Sequence, residues 1–399
     1  MSTQTEEIPF IGADALFKRN FIPPKIVERP KLIHLVLGTL NDAIESNYSS
    51  SMALYGLEGS GKNLLISKTL RDLNQKKKQI ITIDLDLKEI STDQTLHQII
   101  ERILHNKNVQ NSREILKRYN NQQLMYLLKK CVERERQSIV IYIRNIECGN
   151  EKLVNKLTSL SKYYKNLNVL YTINSGFQRQ RLEEYTDLDL KIPFGLYDKN
   201  DLFQILSDRC IMAFPFEVPK VLKEYIFDMV SELNVKVPNS YISCLKQLYL
   251  ANTSKSKSID EKEILYAAYA SAPDTDFQFT AIAEQLQEYE IHERIFLEHT
   301  IAHLKSKNAV YASQLDLEMS YKMAIEELEM QYSEQSLQKT LKKFSEIGII
   351  VPSSIHGVAN YFIPFPLSQI EETITFTFGK CRLLNNFLST LMQQLSRKS

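Results

Sequence analysis

The sequence has little of what marks a secreted or membrane protein. Its five cysteines (Cys131, Cys148, Cys210, Cys244, Cys381) are scattered, odd in number and nowhere spaced as C-x-x-C. That usage points to a reduced, intracellular chain and not to a disulfide scaffold. No apolar run approaches the ~18–20 residues of a membrane span. The opening residues, Met1-Ser-Thr-Gln-Thr-Glu-Glu7, are too polar for a signal peptide. Net charge is also missing: 49 Lys and Arg against 48 Asp and Glu leave +1, so any DNA-binding surface must be local. Glycine is scarce, 11 in 399 residues. What is present, 43% hydrophobic and 24% charged residues, is a globular composition. The length suggests two or three domains.

Three of the few glycines fall in Gly56-Leu-Glu-Gly59-Ser60-Gly61-Lys62-Asn63. An apolar run, Met52–Tyr55, precedes this stretch and a helix-like one, Leu64–Leu70, follows. This is the strand–loop–helix setting of a phosphate-binding loop, in which backbone N–H groups and a helix N-terminus cradle phosphate. Lys62 supplies charge for the terminal phosphates. Asn63 stands where a Ser or Thr hydroxyl normally binds magnesium.

Around this unit the chain reads as alternating strands and helices. Residues 1–30 form an extended arm ending in Phe21-Ile22-Pro23-Pro24 and Arg29. A helix is expected over Lys31–Ser46, and strands over Gln79–Asp86, Ser138–Ile143 and Asn168–Asn174. Helices are expected over Thr92–Leu104, Arg113–Arg134 and Lys152–Lys165. Strands separated by helix-length segments mean a parallel α/β sheet. After Ile192-Pro-Phe194 the pattern turns helical, with breaks at Pro215, Pro219 and Pro238 and a loop at Asn252–Ser258. The last third is helical to Gly348, then shows a short ribbon with a turn at His356-Gly357, as in a winged helix-turn-helix. Three regions follow: 1–195, an α/β nucleotide-binding domain with its arm; 196–274, a helical lid; and 275–399, a winged-helix domain.

A P-loop ATPase needs an acidic pair after a neighbouring strand, to hold magnesium and polarise water. The residues after Ile139–Ile143 are Arg144 and Asn145. Glu147 is the nearby acid, two residues further on, and an extended strand end does not deliver it to the missing pair's place. The expectation is nucleotide, ATP or ADP, held without magnesium and without efficient hydrolysis, with Arg144 supplying charge where the ion sits. The bland reading is an empty fossil loop. Asn174 ends the next strand, where a polar residue orients water or the γ-phosphate; a turn through Asn174-Ser-Gly176 is equally open.

Together these features resemble the archaeal origin-recognition and replication-initiator family of AAA+ proteins. The Phe21–Arg29 arm, the P-loop, the acidic-pair slot, the strand ending in Asn174, and Leu202–Arg209 before a helical lid carry the likeness across nearly the whole chain. The resemblance implies that Phe21, Ile22, Pro23 and Arg29 line an adenine pocket and that the winged helix binds origin DNA. It also implies an ATPase-domain helical insertion touching DNA, for which His105–Arg118 is the candidate, against an exposed, solvated helix as the plainer reading of those residues. The departures are Asn63, Arg144-Asn145, and Pro238-Asn-Ser240-Tyr241, where the lid normally has an arginine. Arg179 and Arg181 are weak candidates for an arginine finger.

Ser333–Gly348 is the expected recognition helix. Leu337, Leu341 and Phe344 form its apolar side, while Gln335, Gln338, Lys339, Lys342 and Lys343 fall mainly opposite. Glutamine reads adenine edges and lysine neutralises phosphates. His356 and Gly357 form the wing tip. His292, His299 and His303 share a helix but lack the ligands that complete a metal site. Thr373–Phe378 alternates like a core strand.

The overall expectation is a cytoplasmic and nucleoid-associated DNA-replication initiator with a degenerate ATPase site and little or no hydrolysis. Its partners would be double-stranded DNA and a paralogous initiator subunit, with no membrane. The rivals are a transcription regulator on the same fold, an ATPase working through Glu147 or a partner's acid, and an inert subunit of a larger complex.

Overall fold

The computed structural model describes residues 8–18, 21–27, 29–76, 80–107, 109, 112–149, 151–174, 188–252, 259–272, 286, 289–355, 357–368 and 370–374. They divide into two compact units.

One unit comprises Phe17–Ile205 with Val237–Asn239. Its centre is a parallel sheet of five strands: β1 (Ser51–Gly56), β2 (Ile80–Asp86), β3 (Ser138–Arg144), β4 (Leu167–Asn174) and β5 (Leu190–Pro193). They lie in the order β2-β3-β4-β1-β5. Strand residues alternate between two cores. Ile139, Ile141 and Ile143 face helices Thr92–Asn106, Asn121–Glu133 and Glu151–Tyr163. Val140 and Tyr142 face the opposite layer with Met52, Leu54, Leu65 and Leu70. A sheet covered on both faces explains why β3 is an unbroken apolar run. The P-loop leaves the carboxyl end of central β1, where the chain crosses β4 and β3 to reach edge strand β2. That switch in strand order is where such sheets bind ligands.

The helix expected over Arg113–Arg134 is instead two, Ser112–Leu116 and Asn121–Glu133. Asn120 interrupts it because its side chain caps the second helix: Asn120 Oδ1 accepts from Gln123 N and Gln123 Oε1 accepts from Asn120 N, both at 2.9 Å.

The other unit comprises Met1–Leu16, Leu206–Lys236 and Ser240–Ser399. Its C-terminal part runs helix Ile291–Lys307, β6 (Ala312–Ser313), helix Gln314–Glu327, helix Glu334–Glu346, β7 (Val351–Ser353) and β8 (Gly357–Phe362). The three strands form an antiparallel sheet in the order β6-β8-β7. Three helices closed by a small ribbon are a winged helix. Ser313 starts the middle helix with a capping box to Asp316. Phe296, Leu317, Leu337, Leu341 and Phe344 meet in one core. Thr373 and Ile374 close a helical turn and do not extend a strand. Ile374 is buried beside Ile370 in that same core, which satisfies its hydrophobicity without a sheet. The remainder of the expected strand lies outside the described residues.

Within this unit the wing is tied to helix Lys220–Leu233. Asp228, buried at 1% exposure, accepts from Tyr311 Oη (2.8 Å), Ser353 Oγ (2.7 Å) and Ser354 N (2.9 Å). Tyr225, from the same helix, meets Tyr311 and Phe362 edge-on with ring centroids 6.1 and 6.3 Å away. Such pairs prefer this geometry. Ser354 Oγ donates to it as well, so Asp228→Ala deprives four donors of their acceptor and lowers stability by about 2–4 kcal/mol in urea unfolding. Asp228→Asn, which retains an acceptor oxygen, costs less.

Candidate nucleotide and nucleic-acid sites

The loop between Gly56 and Lys62 takes its shape from residues that only glycine tolerates. Gly59 has φ +76°, and a Cβ there would stand 2.8 Å from Asn239 Cβ. The Gly59 carbonyl accepts from Asn239 N at 3.3 Å. The segment where the resembled family carries its lid arginine therefore touches the loop, and the contacting residue is Asn239. At Gly56 a Cβ would collide with the Phe194 carbonyl at 2.5 Å.

Lys62 is 3% exposed and bends back on the loop, donating to the carbonyls of Gly56 (2.9 Å) and Leu57 (2.6 Å). Burial lowers its pKa to about 8, partly offset by Glu147 and then Glu58. Ser60 Oγ donates to Leu57 O at 2.7 Å. At the loop's tip Lys88 donates to Glu58.

Asn63 is held by the neighbouring strands. Its Oδ1 accepts from Tyr142 Oη and from Thr172 Oγ1, both at 2.9 Å. Burial pushes the Tyr142 phenol well above its ordinary pKa, so it remains a donor.

Arg144 is paired with β2. Its Nε lies 3.0 Å from Asp84 Oδ1 and its Nη1 4.0 Å from Asp86 Oδ2. The Arg144 Nε–Asp84 contact is an ion pair whose N–H is not aimed for a hydrogen bond. The parallel register of β2 and β3 sets Arg144 opposite Asp86, so its charge is met by β2 carboxylates. Burial raises the Asp84 pKa, against the pull of Arg144.

Next to it, Asn145 is in the left-handed region, φ 57° and ψ 50°, a conformation asparagine accepts more readily than most residues. Its Nδ2 donates to Asp86 Oδ1 at 2.7 Å, and its Oδ1 accepts from Asn174 Nδ2 at 2.8 Å. The turn leads into a 3₁₀ segment, Ile146–Cys148, which brings Glu147 back to the site. Glu147 Oε2 accepts from Asn174 N at 3.1 Å, and its charge is the largest favourable influence on Lys62. The sequence reading placed Glu147 out of range by extending the strand. The overlooked signal is Asn145, a residue suited to the left-handed turn that ends it.

Arg29 stacks on Tyr197 and Phe194, its guanidinium carbon 4.2 and 4.6 Å from the ring centroids, and donates to Gly195 O at 2.6 Å. Phe194 N donates to Tyr55 O at 2.8 Å, which sets this wall beside β1. Pro23 is buried and Phe21 half-buried. Ile22 lies elsewhere, lining a cavity of about 460 Å³ along Ser67, Arg71 and Asn74. These positions are one to three turns down the helix from Lys62. Arg179 and Arg181 lie outside the described residues.

In the winged helix, Gln335, Gln338, Lys339 and Lys342 are exposed at i, i+3, i+4 and i+7, forming one stripe of helix Glu334–Glu346. Lys343 is a correction. Its Nζ donates to Glu293 Oε2 at 2.7 Å and sits 3.9 Å from the Tyr289 ring centre. Glu293 is buried, and Lys343 turns inward to balance its charge. Gly357 opens β8 as the wing requires, while His356 lies outside the described residues. His299 and His303 lie 3.1 and 2.8 Å from Glu327 and Asp316. Among the described residues no helix is long and apolar enough to cross a membrane.

Three solved structures share this architecture. Cdc6p from Pyrobaculum aerophilum aligns with 93% of this chain and 99% of its own, at TM-score 0.69 and 16% identity. The Aeropyrum pernix ORC1 protein, in complex with DNA, aligns over 95% and 100% at TM-score 0.55 and 16% identity. The Aeropyrum pernix ORC2 protein, in ADPNP–ADP complexes, aligns over 94% and 99% at TM-score 0.52 and 14% identity. No protein-family model and no curated protein matches the sequence. The chain has the fold of these Cdc6 and ORC proteins: an AAA+ P-loop domain, a helical lid and a C-terminal winged helix.

Proposed function

We propose that this chain is an origin-recognition-like protein that binds duplex DNA through its winged helix and holds ATP or ADP in its P-loop with little or no hydrolysis. Residues 1–195 would carry the nucleotide, 196–274 would serve as the lid, and 275–399 would engage DNA. The setting would be the nucleoid, with a paralogous initiator subunit as a further partner. The observation carrying the DNA reading is the exposed Gln335, Gln338, Lys339, Lys342 stripe on the third helix of the winged fold. Two amides able to read base edges are interleaved there with two cations for phosphates.

The residues fit the phosphates of a nucleotide and not its magnesium. Gly59, Gly61 and the N-terminus of helix Lys62–Lys76 supply a backbone cradle, and Lys62 would turn from the loop carbonyls to the phosphates. On the metal side, Asn63 Oδ1 already accepts two hydroxyls, and Asp84 and Asp86 face Arg144. A bound nucleotide would contribute the polyphosphate charge that Lys62 counters.

Lys339→Ala with Lys342→Ala weakens binding to all duplex sequences alike. It also reduces the slope of log K against log salt by about 2, roughly one per lost phosphate contact. Filter binding across a salt series measures this, and an unchanged slope removes the helix from the interface.

Lys62 gives a pH test. Its folded pKa lies below the unfolded value of 10.5. Between pH 8 and 10.5 the unfolded chain therefore holds a proton that the folded chain has lost, and this group makes the nucleotide-free protein more stable as pH rises through that window. Nucleotide needs the protonated amine, so ADP affinity falls by up to about tenfold per unit above pH 8. Calorimetric titration between pH 7 and 9 checks it, with Lys62→Met losing the trend.

One observation favours a second reading. The approach of Glu147 to Lys62 suits a slow ATPase with Glu147 as base. Steady-state turnover decides: on the preferred account wild type and Glu147→Gln are equally inactive, whereas activity lost in Glu147→Gln by about 10²-fold or more supports the second.

A further inference from the structure

The two outer strands of the parallel sheet are built differently. β5 is four residues long and ends in Pro193, which has no N–H to offer. Short strands and prolines are the usual means of keeping foreign chains off a sheet edge. β2 has seven residues, Ile80-Ile-Thr-Ile-Asp-Leu-Asp86, with no proline and no lysine, and pairs with β3 residue for residue without a bulge.

One bond fixes which way its main chain points. Leu87 N donates to Arg144 O at 3.1 Å. The N–H and C=O of a strand residue share a direction that reverses at the next residue. Ile81, Ile83 and Leu85 therefore bond toward β3, and Thr82 and Asp84 turn their N–H and C=O outward. Among the described residues nothing bonds to those four groups.

The side chains alternate in the same way. Ile81 and Ile83 are buried against Ile99 and Ile103 of helix Thr92–Asn106. Thr82 and Asp84 line the cavity of about 460 Å³, whose opposite wall is Ser67, Arg71 and Asn74 on one flank of helix Lys62–Lys76. Asn74 Nδ2 donates to Thr82 Oγ1 at 3.2 Å, which fixes that wall beside the strand. Charges on this wall are matched with one exception. Lys68 pairs with Asp72, and Asp84 with Arg144. Arg71 is exposed and has no partner among the described residues.

These features select an occupant. Duplex DNA would set phosphates against outward carbonyls and the Asp84 carboxylate. A small molecule would leave the repeating main-chain groups unused. An extended peptide offers N–H and C=O at the same repeat, about 6.8 Å for two residues, and turns every second side chain into the groove. A carboxylate there meets the Arg71 guanidinium in the two-pronged geometry that suits it. A second copy of β2 would bring Asp84, whose carboxylate Arg144 already engages. We propose that the free edge of β2 is a docking site for an extended acidic segment of a partner protein, which joins the sheet as a sixth strand and sets an acidic side chain against Arg71. This site is independent of the nucleotide and DNA readings.

The test uses the full chain and two capped seven-residue peptides, one alternating Val with Glu and the other alternating Val with Lys. Amide hydrogen exchange is followed at single residues. The Glu peptide slows exchange at Thr82 and Asp84 about tenfold or more and leaves Ile81 and Ile83, already bonded to β3, within about twofold. The Lys peptide protects neither. Arg71→Glu, an exposed position, exchanges the preference so that the Lys peptide protects and the Glu peptide does not. Thr82→Pro, which removes an outward N–H and no bond to β3, abolishes protection of Asp84 by the Glu peptide. Equal protection by the two peptides, protection by neither, or an unchanged preference in Arg71→Glu overturns the inference. So does slow exchange at Thr82 and Asp84 without peptide, which assigns the edge to cover from the chain itself or from a second copy.

Discussion

Amides hydrogen-bonded to one another at the carboxyl ends of three parallel strands decide the character of the nucleotide site. Asn145 reaches Asp86 of β2 on one side and Asn174 of β4 on the other, while Asn63 reaches hydroxyls of β3 and β4. Buried polar atoms must find partners, and these find them in one another, in Asp86 and in the Tyr142 and Thr172 hydroxyls. Each bond contributes only about 1 kcal/mol net. What matters more is that the oxygens a divalent ion would use are engaged in neutral contacts or face a guanidinium. Phosphate binding and metal binding are separable tasks in a P-loop, and the function proposed above keeps only the first.

The winged domain follows a similar rule at a different place. Asp228 is too buried to remain unpartnered, and Tyr311, Ser353 and Ser354 supply its donors from either end of the winged fold. Glu293 is handled the same way by Lys343. A buried carboxylate thus fixes the base of the wing, and another pairs with one lysine of the helix proposed to face DNA. The stripe left to solvent is narrower than the helix's composition suggests, and it consists of Gln335, Gln338, Lys339 and Lys342.

Much of this was legible beforehand because it rests on local pattern. The apolar run of β3, the loop glycines and the i, i+4, i+7 spacing of Leu337, Leu341 and Phe344 report burial directly. Side-chain pairing across distant segments was not legible. Lys343 looked like its neighbours until Glu293, fifty residues earlier, turned out to face it. Arg144 looked free for the site because the β2–β3 register that brings it to Asp84 is a tertiary fact. Glu147 was misjudged for a local reason, since a left-handed residue reverses the direction that an extended strand would have kept. Asn120 ended a helix that periodicity alone carried through.

The central claim, a phosphate cradle without a magnesium seat, is tested most directly by titrating ADP into the metal-stripped protein with and without millimolar Mg²⁺. The account predicts the same dissociation constant within about twofold. Affinity about tenfold or more tighter with the ion would show that Asn63, Asp84 or Asp86 still holds a metal, and would contradict it.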